Sequence, residues 1–385
     1  MRAATAVIGL LLVLTGGIWL GGHPEALPGP VRDALVEEGP AVRADLIDTI
    51  QNHFYKPVSK AKLEDASLRG IVSSLNDPYS RYFSPQEAKS FDEDLSGKFE
   101  GVGMSVHPVK RGLLITDTFA GAPARKAGLR GGDVITAVNG RSLQGVGINI
   151  ATDRIKGPPG TAVRLTVLRG KKTLQVRVTR AKITVPVVSG RLVTRGGQKL
   201  AVIGLASFSS GVHGRLRDEI DKQLKAGAKG IVLDLRGDPG GLLREGVLVA
   251  SNFIEKGTIV TTMGRSEPKH VYKAEGDAIS PKIPVVVLVD RGTASSSEIV
   301  TGALKDTGRA TIVGTRTFGK GVFQEIEPLE NGGALDLTVG RYYLPHGEPL
   351  PKDGIQPQVK AVDKPKTSRD EALPIAEDAL LRHLK

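Results

Sequence analysis

Three short segments of the chain hold residue types suited to acyl transfer: a serine cluster at 295–297, a lysine at 320 and paired glycines at 240–241. The serines lie in Asp290-Arg291-Gly292-Thr293-Ala294-Ser295-Ser296-Ser297-Glu298, directly after the apolar run Val285–Val289 and before the apolar stretch Ile299–Leu304. A serine at a strand-to-helix turn exposes its hydroxyl, and the N–H of the following residue faces a developing oxyanion. The same letters read equally as a helix start, in which Ser295 and Glu298 form a capping box. Taken alone, this loop leaves both readings open.

The glycines belong to Arg236-Gly237-Asp238-Pro239-Gly240-Gly241, which follows the apolar run Gly230–Leu235 and leads into a helical pattern from Leu242. Paired glycines let a backbone turn tightly and approach a ligand, and a helix start adds partial positive charge. Amides placed there suit one half of an oxyanion hole; a plain strand-to-helix turn is the competing reading. The lysine sits in Gly314-Thr315-Arg316-Thr317-Phe318-Gly319-Lys320-Gly321, which has the spacing of a phosphate-binding loop up to its last position. Gly321 stands where a Mg²⁺-binding hydroxyl belongs, and Val322–Ile326 reads as a strand where such a loop opens a helix, which argues against nucleotide binding. A lysine enclosed by Phe318 and glycines would be desolvated, leaving neutral amine to act as a base. A surface lysine in a hairpin turn is the alternative.

A serine nucleophile needs a base. The seven histidines are scattered, and no Gly-x-Ser-x-Gly surrounds the serines. Lysine is the remaining candidate for activating Ser295, as in Ser-Lys variants of the triad. Neither a His-Glu-x-x-His helix nor clustered metal-ligand spacing occurs, so no metal and no cofactor are expected.

The elements that must position these residues fall into a multidomain arrangement. At 385 residues with 40% hydrophobic content, the chain suffices for two or three compact domains. A formal charge of +12 comes without a long Lys/Arg run and with only 4% aromatic residues, so nucleic-acid binding is not expected. Zero cysteines exclude disulfides and a thiol nucleophile. Arg2 precedes an uncharged, mostly apolar stretch, Ala3–Gly22, close to the ~20 residues that span a bilayer. It predicts a signal peptide or signal anchor over 1–23, with Arg2 on the cytoplasmic side, and places the protein in the periplasm or cell envelope. Beyond a Pro/Gly-rich link, 31–95 reads as an N-terminal helical domain with Leu35, Val42, Leu46, Ile47, Ile50 and Phe54 at helical spacing. Short β-rich runs separated by turn residues predict a compact β domain over 97–184. From 185 to 365, strands alternate with helices, which predicts an α/β core whose active residues gather in the turns after strands. A C-terminal helix is expected over 366–385.

In this order the three loops resemble those of the carboxyl-terminal processing peptidases, also called tail-specific proteases. That family's Asp-Leu-Arg-x-x-Pro-Gly-Gly resembles Asp234–Gly241, its Gly-Ser-Ala-Ser-Ala-Ser-Glu resembles Gly292–Glu298, and its Thr-Phe-Gly-Lys-Gly-x-x-Gln resembles Thr317–Gln324. The resemblance implies a serine endopeptidase in which Ser295 is the nucleophile, Lys320 the general base and Gln324 the group orienting the lysine. It implies an oxyanion hole from the N–H groups of Gly241 and Ser296, with Glu298 in support. The family commonly has Ala at 296, so the Ser296 hydroxyl is a decoy to test, and Ser297 a weaker one. Over 97–184 the resemblance is to the family's PDZ domain, with Gly101-Val102-Gly103-Met104 as the carboxylate-binding loop and Gly128–Ile135 and Arg154–Thr161 as further matches. A PDZ domain takes an extended carboxyl tail by β-augmentation. Implied partners are proteins with apolar carboxyl tails, an activating adaptor and further copies of the chain, the last through 31–94 or 369–384. A catalytically silent PDZ scaffold is the rival from another class.

Overall fold

The computed structural model describes residues 38–364, 367 and 369–384. The expected export segment at 1–23 lies outside them. Two compact units result, divided after Ser84. The first holds α1 (Glu38–His53), α2 (Lys60–Ser73) and β1 (Arg81–Phe83). Its apolar residues do not all face inward: Ile47 is buried, whereas Val42, Leu46, Phe54, Tyr55, Ile71 and Leu75 are exposed.

The second unit begins with α3 (Pro85–Ser96), a helix that the sequence reading assigned to the N-terminal domain. Its contacts explain the shift: Gln86 Nε2 donates to Asp153 at 2.5 Å, and Leu95 O accepts the Ser210 N–H at 2.9 Å. Next come β2 (Lys98–Gly101), β3 (Met104–Val109), β4 (Gly112–Thr118), α4 (Pro123–Lys126), β5 (Val134–Val138), β6 (Arg141–Ser142), α5 (Ile148–Ile155), β7 (Ala162–Arg169), β8 (Lys172–Thr179) and β9 (Ala181–Thr184). Antiparallel pairing in the order β3-β4-β5-β7-β8, with β6 on β5, makes a small β domain. Alternation along β7 buries Val163, Leu165 and Val167 against Leu113, Ile115, Ile135 and Val178. The antiparallel pair β2–β9 closes both chain ends of this domain together, from Lys98↔Thr184 to Gly101↔Ala181.

The remaining chain comprises β10 (Val188–Arg195), β11 (Gln198–Leu205), α6 (Val212–Lys225), β12 (Ile231–Asp234), α7 (Leu243–Ser251), β13 (Thr258–Gly264), β14 (His270–Lys273), β15 (Val285–Val289), α8 (Ser296–Asp306), β16 (Thr311–Gly314), β17 (Val322–Pro328), β18 (Ala334–Tyr343), β19 (Val359–Lys360) and α9 (Ala372–Arg382). A six-stranded sheet runs β10-β11-β12-β15-β16-β19, parallel except for β10–β11. Strand order rises in one direction, so right-handed crossovers put α6, α7 and α8 on one face. Ile203, Leu233, Val287 and Ile312 pack on that side with Leu216, Val247 and Ile299; Val202, Val232, Val286 and Val313 pack on α9 through Ala376 and Leu380. Burial on both faces accounts for the unbroken apolar runs of these strands. An antiparallel ribbon, β14-β13-β18-β17, carries the segment after Lys320.

Candidate active site

Ser295 ends the turn between β15 and α8, at the carboxyl edge of the parallel strands. Its backbone has φ 54° and ψ −117°. An ordinary N-cap is extended; a side-chain-bearing residue at positive φ costs on the order of 1–3 kcal/mol and persists only where its surroundings hold it. The capping box of Ser295 and Glu298 is present, but capping alone does not call for this twist, which the sharp strand-to-helix turn of a serine nucleophile does. Buried Tyr342 brings its hydroxyl to the Ser295 side chain, and burial pushes the phenol's pKa up.

The glycine loop packs directly on this turn. A Cβ on Gly240 (φ 95°) would lie 2.9 Å from the Ser296 nitrogen and 2.7 Å from Ala294 O, and one on Gly241 (φ 147°) would lie 2.6 Å from Phe208 O. All these atoms are backbone, so only glycine fits. Phe208 grips the loop from behind: its N–H donates to Gly240 O and its carbonyl accepts the Leu242 N–H, both at 2.9 Å. Among the described residues, neither the Gly241 N–H nor the Ser296 N–H donates to a protein acceptor. Two such amides beside a serine hydroxyl are the donors that an oxyanion hole would use.

The other two serines are committed elsewhere. Ser296 Oγ donates to Gly241 O at 2.9 Å and Ser297 Oγ to Asp238 O at 3.0 Å, and both residues are fully buried. They tie the serine turn to the glycine loop, and neither hydroxyl is presented for attack.

Glu298 joins the serine turn to the lysine loop. Its fully buried carboxylate accepts from the Ser295 N–H (3.1 Å), Thr317 Oγ1 (2.5 Å), the Gly319 N–H (2.8 Å) and the Lys320 N–H (2.8 Å). The Ser295 and Lys320 amides converge on the same oxygen, Oε2, which holds the two backbones side by side. Burial raises the carboxyl's pKa, opposed by these hydrogen bonds. Lys320 is half-buried, and Phe318, expected to enclose it, is itself 50% exposed. The reason lies in the backbone: Phe318 N–H is bound to Thr293 O, and Gly319 lies against Lys352–Gly354. Gln324 Nε2 donates to Thr338 Oγ1, its cross-strand neighbour, at 3.1 Å.

In the β domain, β3 is an edge strand beside the Gly101–Met104 turn. A cavity of about 230 Å³ opens there, lined by Gly101, Val102, Gly103, Met104 and Val106 on one side and by Thr152, Ile155 and Lys156 at the end of α5 on the other. Helix α3 adds Glu93 and Asp94, and Glu93 Oε2 pairs with Lys156 Nζ at 2.5 Å. The groove is therefore apolar along its floor and carries the Glu93–Lys156 ion pair in its lining. Pro108, without an N–H, limits further pairing along the edge.

Sequence reasoning missed Tyr342, Phe208 and Thr317. Phe208 and Tyr342 reach the site only through tertiary pairing of distant segments, which no local motif announces. Thr317 stood within the lysine motif, where a buried hydroxyl could have been anticipated.

The same arrangement occurs in known proteins. Residues 199–361 match the model for peptidase family S41, 101–179 that for a PDZ domain and 43–87 that for the N-terminal domain of the activating protease CtpB. The carboxy-terminal processing protease CtpA of Bacillus subtilis is 37% identical over 361 residues, covering 93% of this chain and 75% of the relative. A CtpA-like serine protease of Staphylococcus aureus is 38% identical over 82% of this chain and 63% of its own length. The solved photosystem II D1 C-terminal processing protease is 30% identical with a TM-score of 0.51, covering 87% of this chain and 90% of that one. With a PDZ domain ahead of the S41 core, the chain belongs to peptidase family S41, the carboxy-terminal processing proteases, and is a serine-type peptidase.

Proposed function

We propose that this protein is a Ser/Lys endopeptidase that takes exported protein substrates by their carboxyl tails and cleaves near them. Lys320, as neutral amine, removes the Ser295 hydroxyl proton while Oγ attacks the scissile carbonyl. The resulting oxyanion is stabilised by the Gly241 and Ser296 N–H groups, and the lysine returns the proton to the leaving amine. Water, deprotonated in turn by Lys320, hydrolyses the acyl-enzyme. Gln324, whose amide nitrogen is held by Thr338, offers its oxygen to orient the lysine ammonium. The observation that carries the reading is Glu298, whose one carboxylate gathers the backbones of Ser295 and Lys320.

The tail adds as a strand to β3, its carboxylate meeting the Gly101–Met104 turn. An apolar last side chain fits the groove floor. The amino-terminal 1–23 segment delivers the chain to the periplasm or cell envelope and anchors it in the membrane, where an adaptor would present substrates. Exposed Val42, Leu46, Phe54 and Ile71 suit assembly with further copies.

Cleavage of an unfolded reporter protein ending in an apolar tail tests the mechanism. The full chain and Ser296→Ala should cut it, and Ser295→Ala and Lys320→Ala should not. Retained cleavage in Lys320→Ala would rule out the Ser/Lys assignment.

A further inference from the structure

Asp238 is fully buried within the glycine loop, yet the mechanism above gives it no part. Its main chain is docked on the serine turn: its carbonyl accepts the Ala294 N–H and Ser297 Oγ, each at 3.0 Å. Its side chain does something separate. Oδ1 accepts the Gly240 N–H at 2.8 Å, while Oδ2 has no hydrogen-bond partner among the described residues. A buried carboxylate oxygen left bare is costly, and an apolar side chain would avoid that cost. The chain nevertheless places an acid here, one residue before Pro239 and two before the glycine pair.

We propose that Asp238 is a positioning residue for the oxyanion hole, its Oδ1 fixing the Gly240 peptide so that the Gly241 N–H faces the reacting carbonyl. Rotation of the loop is the failure it prevents. Gly240 and Gly241 both have positive φ, and glycine peptides turn with little steric resistance. Phe208 holds the Gly240 carbonyl on one side of this peptide pair, and Asp238 holds the Gly240 N–H on the other. Release of that N–H would free the Pro239–Gly240 peptide and leave the Gly240–Gly241 peptide held by Phe208 alone, while the loop's attachment to the serine turn, made through Asp238 O and Ser296 Oγ, stayed in place.

Protonation bears on the same hydrogen bond. Burial pushes the Asp238 carboxyl up to about 7, so it is ionised, and the stronger acceptor, on the alkaline side of neutrality. Neighbouring charged groups are engaged elsewhere: Arg236 with Asp234, Asp363 and Asp370, Asp290 with the Gly237 and Gly292 N–H groups, and Glu298 with the serine and lysine loops.

This inference rests on the proposed Ser295 and Lys320 mechanism, and the experiment separates the two. Steady-state cleavage of the tailed reporter is measured from pH 5 to 9 with the full chain, Asp238→Ala, Asp238→Asn and Ser295→Ala. Loss of a single oxyanion donor costs about 10²–10³ in kcat, so partial misplacement should cost Asp238→Ala at least about tenfold in kcat with KM within about twofold. Asp238→Asn, which keeps the acceptor, should recover kcat at pH 8, and its acid limb should be shallower because one protonation is gone. A kcat for Asp238→Ala within twofold of the parent, or Asp238→Asn no better than Asp238→Ala, would overturn the proposal. Should Asp238→Ala not fold, the Asn variant decides: a shallower acid limb supports the role, and an unchanged limb overturns it. Cleavage by Ser295→Ala would instead defeat the underlying mechanism.

Discussion

Asp133 in the PDZ domain and Asp238 in the peptidase core are both buried aspartates in glycine-rich turns, and their surroundings are opposite. Asp133 receives Arg169 through two hydrogen bonds of 2.7 Å and the Arg130 N–H at 3.1 Å, and these partners, Arg169 first, hold its carboxyl below the usual range. Asp238 has one backbone donor and a bare oxygen, and burial drives its carboxyl up. The first is a structural acid whose charge is compensated and whose work is to close a turn. The second is under-compensated, beside a serine held at positive φ. Local strain and unpaired polar atoms concentrate where a protein positions chemistry rather than where it stabilises a fold.

The sharpest way to break this contrast is to remove the clamp on the peptidase side. Glu298→Ala leaves the Ser295, Gly319 and Lys320 N–H groups and the Thr317 hydroxyl without their acceptor; unfolding in denaturant should show a loss of about 3 kcal/mol or more, with cleavage abolished. Next in size are the pH signatures. The Asp133 carboxyl is depressed in the fold, so its contribution is present above its ordinary value of 3.8 and is lost as pH falls through the folded value. Arg169→Ala should therefore lower Tm by several degrees at pH 7, with the difference shrinking toward pH 3. Asp238 has the opposite sign. Its folded value is raised to about 7, so stability declines as pH rises from 3.8 to 7. Asp238→Asn should match the parent's Tm near pH 4 and exceed it at pH 8. A gain at both pH values would show that the bare oxygen, and not its charge, carries the cost. The smallest effect is expected at the groove. Glu93→Gln frees Lys156 for a tail carboxylate, and KM for the tailed reporter should fall about two- to fivefold with kcat unchanged.

Much of this organisation was legible in the sequence, for reasons that differ by element. The parallel strands are buried on both faces, so Ile231–Leu233 and Val285–Val289 stand out as unbroken apolar runs, and the loops that follow these strands were located from them. Gly240 and Gly241 mark themselves because no other residue fits their backbone. Strands such as β13, β14 and β18 were not read, since their mixed sequences, half-exposed in β14 and threonine-rich in β13, become strands only through antiparallel pairing with one another. Tyr342 was invisible for the same reason. Helix α3 was assigned to the wrong side of a boundary because what fixes it, Lys156 and Ser210, is distant in sequence. Ser296, a decoy nucleophile to test, has its buried Oγ bound to Gly241 O, a tertiary contact that no local motif announces.

The central claim is that Ser295, activated by Lys320, is the nucleophile. A serine-directed fluorophosphonate, applied to the full chain and followed by peptide mass mapping, tests it most directly. The account predicts a single adduct on Ser295, absent from Ser295→Ala and at least about 100-fold slower to form in Lys320→Ala. An adduct on Ser296 or Ser297, or labelling of Ser295 at an unchanged rate without Lys320, would contradict it.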